Sequence, residues 1–402
     1  PSLPALPALG VDEAPEPADE AGGRRFLLAV AEIEPSPAPS AEPSAASSPA
    51  PSLAPAAEVV PPDVLQASTM PVVPVAKFWS KRDGLKRRVI VEALETGSID
   101  GFKRVVVERR IAEPLAGALG IEIHPDIRRL DMERVSKAVR KGALGLVAAT
   151  SVGPSLRSLK VGGNELVGVE RVDDLADWPL KVSLEVPPDE TWAHERTWVL
   201  VAGGDSFTAR GVYDTVVKQG KGVDYPFAGG TARVTGHGCC DPVFNDNIVP
   251  RYVLTGNKGA VRRLFKGAEL AIANNEQPVS ESARFHTSCT RCSGQPRLTR
   301  IFTRAGIDYL SLANNHIGDY GAEVIRDTRR ILRDYEIAFG GAGADLQQAR
   351  QVDFLDARGT QVAIIPCLDI VRIYWADDDK AGATPCVDQY IRKDIRKARR
   401  AG

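Results

Sequence analysis

Residues 301–321 (IFTRAGIDYLSLANNHIGDYG) constrain the fold of this chain more than any other stretch. The apolar run 309–312 passes directly into the polar cluster Asn314, Asn315, His316 and Asp319. A strand buried on both faces of a parallel sheet reads as such a short apolar run, and open α/β sheets hold ligands in the crevice beyond the carboxyl ends of their strands. The pattern occurs twice more: 198–201 (WVLV) leads into Gly203, Gly204 and Asp205, and 270–273 leads into Asn274, Asn275 and Glu276. One such ending would mean little, because Asp and Asn also suit turns and helix caps for local reasons. Three of them predict strand tips that converge on one cavity.

The intervening sequence supports alternation of strand and helix. Helices are expected over 259–265 and 298–305, and strands over 269–273 and 308–312. Val324, Ile325, Ile331, Leu332 and Tyr335 fall at helical spacing and predict a further helix that stops near Gly340 and Gly341. The Gly-rich run 340–343 lacks a Gly-Lys-Ser/Thr ending and reads as a helix stop and turn rather than a nucleotide loop. Strands at 352–355 and 362–367, joined by the turn 356–359, suggest a hairpin, so the sheet is expected to be mixed. The basic segment 392–400 is the wet face of a last helix, with Tyr390, Ile391, Ile395 and Ala398 as its apolar stripe.

Composition divides the chain. Residues 1–75 hold 16 of the 29 prolines and almost no periodic apolar pattern, which predicts a disordered Pro/Ala/Ser-rich tether. Residues 76–190 form a small α/β domain, closed by the Pro187-Pro188 pair, and 191–402 form a second domain. The stretch 137–163 (KAVRKGALGLVAATSVGPSLRSLKVGG) resembles one lobe of a periplasmic solute-binding protein, with packing alone as the alternative role. His124, beside a proline, reads as a loop residue. With 51 Lys plus Arg against 52 Asp plus Glu, no global basic field marks a nucleic-acid binder. The sequence has no initiator Met, signal sequence or long apolar run, so it reads as a fragment. Its tether suits either a chain anchored to a membrane by a segment outside this sequence or a cytoplasmic linker.

The segments VAGGDSFTARGVY, AELAIANNEQPV, AGIDYLSLANNHIGDYGAEVIRDT and FGGAGADLQQAR, in that order, resemble the CapA family of capsule-synthesis (poly-γ-glutamate synthesis) proteins. The resemblance implies a metallophosphoesterase-like mixed sheet layered with helices. It also implies an envelope location, and as partners an anionic polymer or phosphorylated small substrate and a capsule-synthesis membrane complex. It places Asp205 after the first strand, Asn275 and Glu276 at the second (Asn275 standing where Leu is usual), and Asn314, Asn315, His316, Asp319 and Tyr320 at the third. The implied cofactor is one or more divalent ions of Mn, Zn, Fe or Mg, held by Asp205, Glu276, Asn315 and His316, since such ions favour carboxylate, amide and imidazole donors. His316 and Asp319 would be the catalytic pair, His316 giving or taking a proton and Asp319 orienting its ring or, alternatively, capping the next helix. Arg210, Asn314 and Tyr320 would bind substrate, Arg210 through its fork unless it serves a structural ion pair. Family members carry further histidine motifs beyond the helix that ends here at Gly402, so the expectation is either a truncated family domain or one that lacks that chemistry. A non-catalytic solute- or polymer-binding module and a plain metal-dependent phosphoesterase are the other functions this pattern allows.

Six cysteines permit up to three disulfides. Cys367 and Cys386 flank a loop they could close. Cys239, Cys240, Cys289 and Cys292, with His237 and His286 nearby, suit zinc, disulfides or free thiols.

Overall fold

A computed structural model describes residues 65–228, 231–238, 249–256, 259–282, 291 and 293–402. The tether through residue 64 and the cysteine group of Cys239, Cys240, Cys289 and Cys292, with His286, lie outside the described residues.

The first described strand, β1 (Gln66–Lys77), organises the amino-terminal region. It is followed by α1 (Arg87–Thr96), β2 (Val105–Glu108), α2 (Arg109–Leu119), β3 (Arg128–Leu130), α3 (Met132–Arg140), β4 (Leu144–Ala148), β5 (Leu156–Ser158) and β6 (Lys181–Val186). The strand order is β3-β2-β4-β1-β5, and β6 also pairs with β1. The strands β3, β2 and β4 run parallel, whereas β1 is antiparallel to β4, β5 and β6. Every residue of β4 is buried, as expected of a strand covered on both faces. At Gly145 a Cβ would meet Val139 Cγ2 of α3 at 2.8 Å and Val75 Cγ2 of β1 at 2.9 Å, so only glycine lets α3 lie this close to the sheet. Trp178 is wholly buried and its indole N–H donates to the Val72 carbonyl at 3.1 Å.

Residues 66–75 therefore belong to the fold and not to the tether that composition assigns them to. Pro71 and Pro74 disguise the strand, yet between and around them Met70, Val72, Val73 and Val75 are fully buried. Proline still offers its carbonyl: that of Pro74 accepts from Leu159 N at 2.9 Å, while Val72 N donates to the Leu180 carbonyl at 2.8 Å.

The second region contains β7 (Leu200–Ser206), the antiparallel pair β8 (Thr231–Gly238) and β9 (Val249–Gly256), α4 (Ala260–Gly267), β10 (Leu270–Asn275), α5 (Arg300–Ala305), β11 (Tyr309–Ser311), α6 (Ala322–Asp334), β12 (Ala338–Gly340), β13 (Asp353–Ala357), β14 (Thr360–Ile364) and α7 (Asp388–Ala401). Its central sheet has the order β12-β11-β10-β7, and all three pairings are parallel. Phe265, Phe302, Leu310, Leu312, Ile325 and Leu332 fill the core between the sheet and its helices. A buried ion pair ties the regions together: Arg171 Nη2 lies 2.6 Å from Glu269 Oε1, each side chain 9% exposed. Burial alone would push the Glu269 carboxyl up, but the Arg171 guanidinium and the Val199 N–H outweigh it and hold the group below its ordinary range.

Three expectations are corrected. The β13–β14 hairpin forms as expected around Arg358 and Gly359, but it pairs only with itself, so the central sheet is parallel, not mixed, among the described residues. The helix expected to stop near Gly340 and Gly341 ends at Asp334, and residues 338–340 form the edge strand β12 against β11. In α7 the expected apolar stripe is only half-buried at Tyr390, Ile391 and Ala398 and exposed at Ile395, and the buried side chain is Asp394, whose Oδ1 accepts from Arg350 Nη2 at 2.9 Å. An ion pair with its second carboxylate oxygen also engaged supplies direction that a thin apolar stripe does not.

Beneath the sheet, Tyr309 OH donates to Asp353 Oδ2 at 2.7 Å. Burial raises the Asp353 carboxyl to about 6 against the pull of Tyr309 and Arg329. The folded state thus binds this proton more tightly than the unfolded chain, so the stabilisation is complete below pH ~4 and is lost as pH rises through about 6. In urea titrations between pH 4 and 7, the wild type should lose up to roughly 3 kcal/mol that Asp353→Asn does not lose, from about two pKa units at 1.36 kcal/mol each. Parallel curves for the two proteins would refute the assignment.

Candidate functional site

Strand register builds the site. On β10, Ile272 stands opposite Ala202 and Asn274 opposite Asp205, so β7 carries one residue more than β10 between these pairs. The extra residue falls in Gly203-Gly204, where a bulge is easily accommodated; a Cβ on Gly203 would sit 3.0 Å from the Phe265 ring. This bulge carries Asp205 to the level of Asn274.

Asn274 then joins the strand tips. Its Nδ2 donates to Asp205 Oδ1 at 2.9 Å and, by a very short contact, to Glu276 Oε2. Its Oδ1 accepts from Asn314 Nδ2 at 3.2 Å, and the same Asn314 amide donates to the Asn275 carbonyl at 2.8 Å. Asn314 Oδ1 in turn accepts from the His316 backbone N–H at 3.0 Å. Asp205, Glu276, Asn314 and His316 are thereby brought together, as their positions after three separate strands predict.

His316 is fixed from behind. Its Nδ1 lies 2.8 Å from Asp319 Oδ2, and the Asp319 side chain is only 3% exposed. The hydroxyl of Tyr374 donates to Asp319 Oδ1 at 3.0 Å. Asp319 is therefore the partner of the imidazole, not the cap of α6, a position that Gly321 occupies. With Nδ1 committed to a carboxylate, Nε2 is the ring atom available to a proton or a cation. The hydrogen bond to Asp319 raises the imidazole's pKa, burial opposes this, and Glu276 adds to the rise while Arg210 reduces it. The Phe207 ring packs edge-on against the imidazole at 5.8 Å between centroids, and the Arg210 guanidinium lies 4.6 Å from the centroid of the same Phe207. Arg210 has φ of 51°, a left-handed conformation uncommon for a side-chain-bearing residue.

Glu276 is 7% exposed. Burial pushes its carboxyl up, the neighbouring Asp205 charge pushes further, and the Asn274 amide and His316 hold it back. Two carboxylates, one desolvated, and an imidazole beside them are donor types a divalent cation accepts, but among the described residues no three His, Cys, Asp or Glu side chains are placed so that they could hold a metal ion.

The remaining expected residues are placed differently. Asn315 is half-buried in the same turn, and its side chain makes no hydrogen bond among the described residues. The hydroxyl of Tyr320 donates to the Arg291 carbonyl at 3.0 Å, fastening that segment. Asn275 turns into the fold, wholly buried, with Nδ2 on the Gln277 carbonyl at 2.8 Å.

Sequence reasoning missed two members. Asn274 is named only as part of a cluster; its place at the Asn position of an Asn-x-Glu run is the signal that identifies it. Tyr374 carries no local signal. It belongs to a loop closed by the Cys367–Cys386 disulfide, the pairing expected from sequence, and it packs on Gly318, where a Cβ would approach the ring to 2.3 Å.

The sequence profile described as "Bacterial capsule synthesis protein PGA_cap" matches residues 199–402, which contain the whole of this site. The chain belongs to that family. Among curated relatives, the "Capsule biosynthesis protein CapA" of Bacillus anthracis is 27% identical over 157 residues, covering 38% of each chain. The uncharacterized protein y4sH of Sinorhizobium fredii is 26% identical over 170 residues, covering 40% of this chain and 37% of that one. The chain thus spans under two fifths of the length of these relatives. Among solved structures, an ABC-type phosphate transport receptor from Vibrio cholerae aligns with a TM-score of 0.25 at 13% identity, over 32% of this chain and 62% of that one, too loosely to bear on the fold. No helix among the described residues is long and apolar enough to cross a membrane.

Replacing Asn274 by Leu should remove the donor shared by Asp205 and Glu276. We expect a loss of about 1–3 kcal/mol in denaturant unfolding, because the buried Glu276 acceptor and the Asn314 amide are left without their partner. An unchanged midpoint would show that the bridge does not hold the strand tips together.

Proposed function

We propose that this PGA_cap-family chain works at the cell envelope in capsule synthesis by handling an anionic polymer, of the poly-γ-glutamate type, at the tips of β7, β10 and β11. The observation that carries the reading is the Asn274 bridge, which keeps a desolvated Glu276 and Asp205 side by side in front of an imidazole fixed by Asp319. Asp205, Glu276 and His316 Nε2 would hold a divalent ion of Mn, Zn, Fe or Mg. When bound, such an ion supplies a positive charge and Lewis acidity beside the polymer's anionic oxygens.

The protein side chains divide the remaining work. Asp319 and Tyr374 keep the imidazole in one orientation, so that Nε2 faces the cavity as a proton donor or acceptor. The Arg210 guanidinium, stacked on Phe207, offers a planar fork that matches a carboxylate or phosphate. Hydrolysis of a phosphoester would use the same groups, and turnover of an aryl phosphate would mark that activity.

Calorimetric and thermal-shift titrations with MnCl2 and ZnCl2 test the reading on the full chain. The wild type should be stabilised by about 2.7 kcal/mol at a metal concentration 100 times its Kd. Glu276→Gln and His316→Ala should lose most of that gain. Equal stabilisation of wild type and both variants would overturn the proposed site.

A further inference from the structure

A second polar cavity lies in the amino-terminal region, outside the residues that match the family. It has a volume of about 550 Å³ between α3 and the β2–β3 edge of the sheet, and its polar lining is Lys103, Arg104, Arg128, Arg134, Lys137 and Lys141. No acidic residue lines it. An adjoining cavity of about 400 Å³ shares Lys103 and Ala143 with it, adds Lys77, and also has no acidic lining. The two make one groove with seven cationic side chains. The chain as a whole has 51 basic against 52 acidic residues, so this concentration does not reflect a basic protein.

The local structure makes the clustering specific. Arg134, Lys137 and Lys141 recur at spacings of three and four residues along and just beyond α3, which puts them on one side of it. Along β3, successive side chains point to opposite faces. Arg128 lines the groove, whereas the next residue, Arg129, pairs with Glu113 at 2.6 Å. Arg109 likewise pairs with Asp131 at 3.5 Å. Among the described residues, none of the six cations of the larger cavity has an ion pair or a side-chain hydrogen bond. Like charges brought together without counter-charges destabilise the fold, and an anionic ligand removes that cost.

We infer that this groove binds a strand of an acidic polymer, a polycarboxylate of the poly-γ-glutamate type, through Arg134, Lys137, Lys141 and the cations facing them. The choice of polymer rests on the function proposed above; the site does not. Two adjoining cavities with seven cations and no carboxylate in their lining suit a repeating anion better than a single small one. Single-stranded nucleic acid calls for exposed aromatic faces on which bases stack. Among the described residues, Phe102 lines the smaller cavity with Arg82 over its ring at 5.6 Å from the centroid, and the exposed Phe78 and Trp79, beside Lys77, pack edge-on against each other at 5.0 Å in a neighbouring pocket, so single-stranded DNA is one arm of the test.

The test is fluorescence-polarisation binding of labelled poly-γ-glutamate to the full chain, in low salt with EDTA so that no metal site contributes. The combined variant Arg134→Gln, Lys137→Gln and Lys141→Gln should bind about tenfold more weakly or worse, from three exposed charge contacts of modest individual strength. Arg326→Gln, Arg330→Gln and Arg333→Gln together, on α6, should bind as the wild type does. Circular dichroism checks that each variant is folded. Equal binding by the groove variant and the wild type, or no binding by the wild type, overturns the inference. So does tighter binding of charge-matched single-stranded DNA or phosphatidylglycerol vesicles than of the polymer. Equal metal stabilisation of the wild type and Glu276→Gln, with polymer binding weakened only in the groove variant, would overturn the strand-tip site and leave this one standing.

Discussion

Two carboxylates placed side by side repel unless something donates to both, and at the tips of β7 and β10 that donor is the side-chain amide of Asn274. An amide offers two N–H groups and a carbonyl, and here each has a partner: Asp205, Glu276 and the amide of Asn314. Three strands are thereby joined through one residue. The bulge at Gly203-Gly204 is what makes this possible, because without its extra residue Asp205 would not stand at the level of Asn274. Backbone register and side-chain chemistry are in this sense one constraint.

The imidazole is supported from the opposite direction. Asp319 accepts from Tyr374 while holding His316, and Tyr374 is carried on a loop whose ends meet at the Cys367–Cys386 disulfide. A side chain whose orientation is set by such outer partners keeps one ring nitrogen free for chemistry. The carboxylate pair and the imidazole thus come from separately supported walls, joined through Asn314, whose amide donates to Asn274 and whose Oδ1 accepts from the His316 N–H.

The amino-terminal region follows a different logic. Its core is apolar and almost complete, threaded by β1, and its polar character lies on the outside in a groove of one sign. The Arg171–Glu269 pair, buried at the junction, fastens this region to the start of β10, the strand that carries Asn274. A buried pair of this kind is directional and so fixes register as well as contact.

Much of this was legible in the chain itself. Apolar runs ending in Asp205, Glu276 and His316 identify strand tips because burial on both faces excludes polar residues until the strand emerges, and helical spacing locates α3 and α6 for the same reason. Local pattern was misleading where partners override it: Pro71 and Pro74 hid β1, the helix before Gly340 was read through β12, and the apolar stripe of α7 gave no sign of its buried anchor, Asp394. The sequence alone determined the α/β alternation and the residue types at the strand ends, since these follow from periodicity and burial. Only the tertiary structure decided that Asn274 rather than Asn275 is the bridge, that Tyr374 supports the site from 55 residues beyond Asp319, and that seven cations share one groove. Those facts depend on register and on distances across the fold, which no one-dimensional pattern contains.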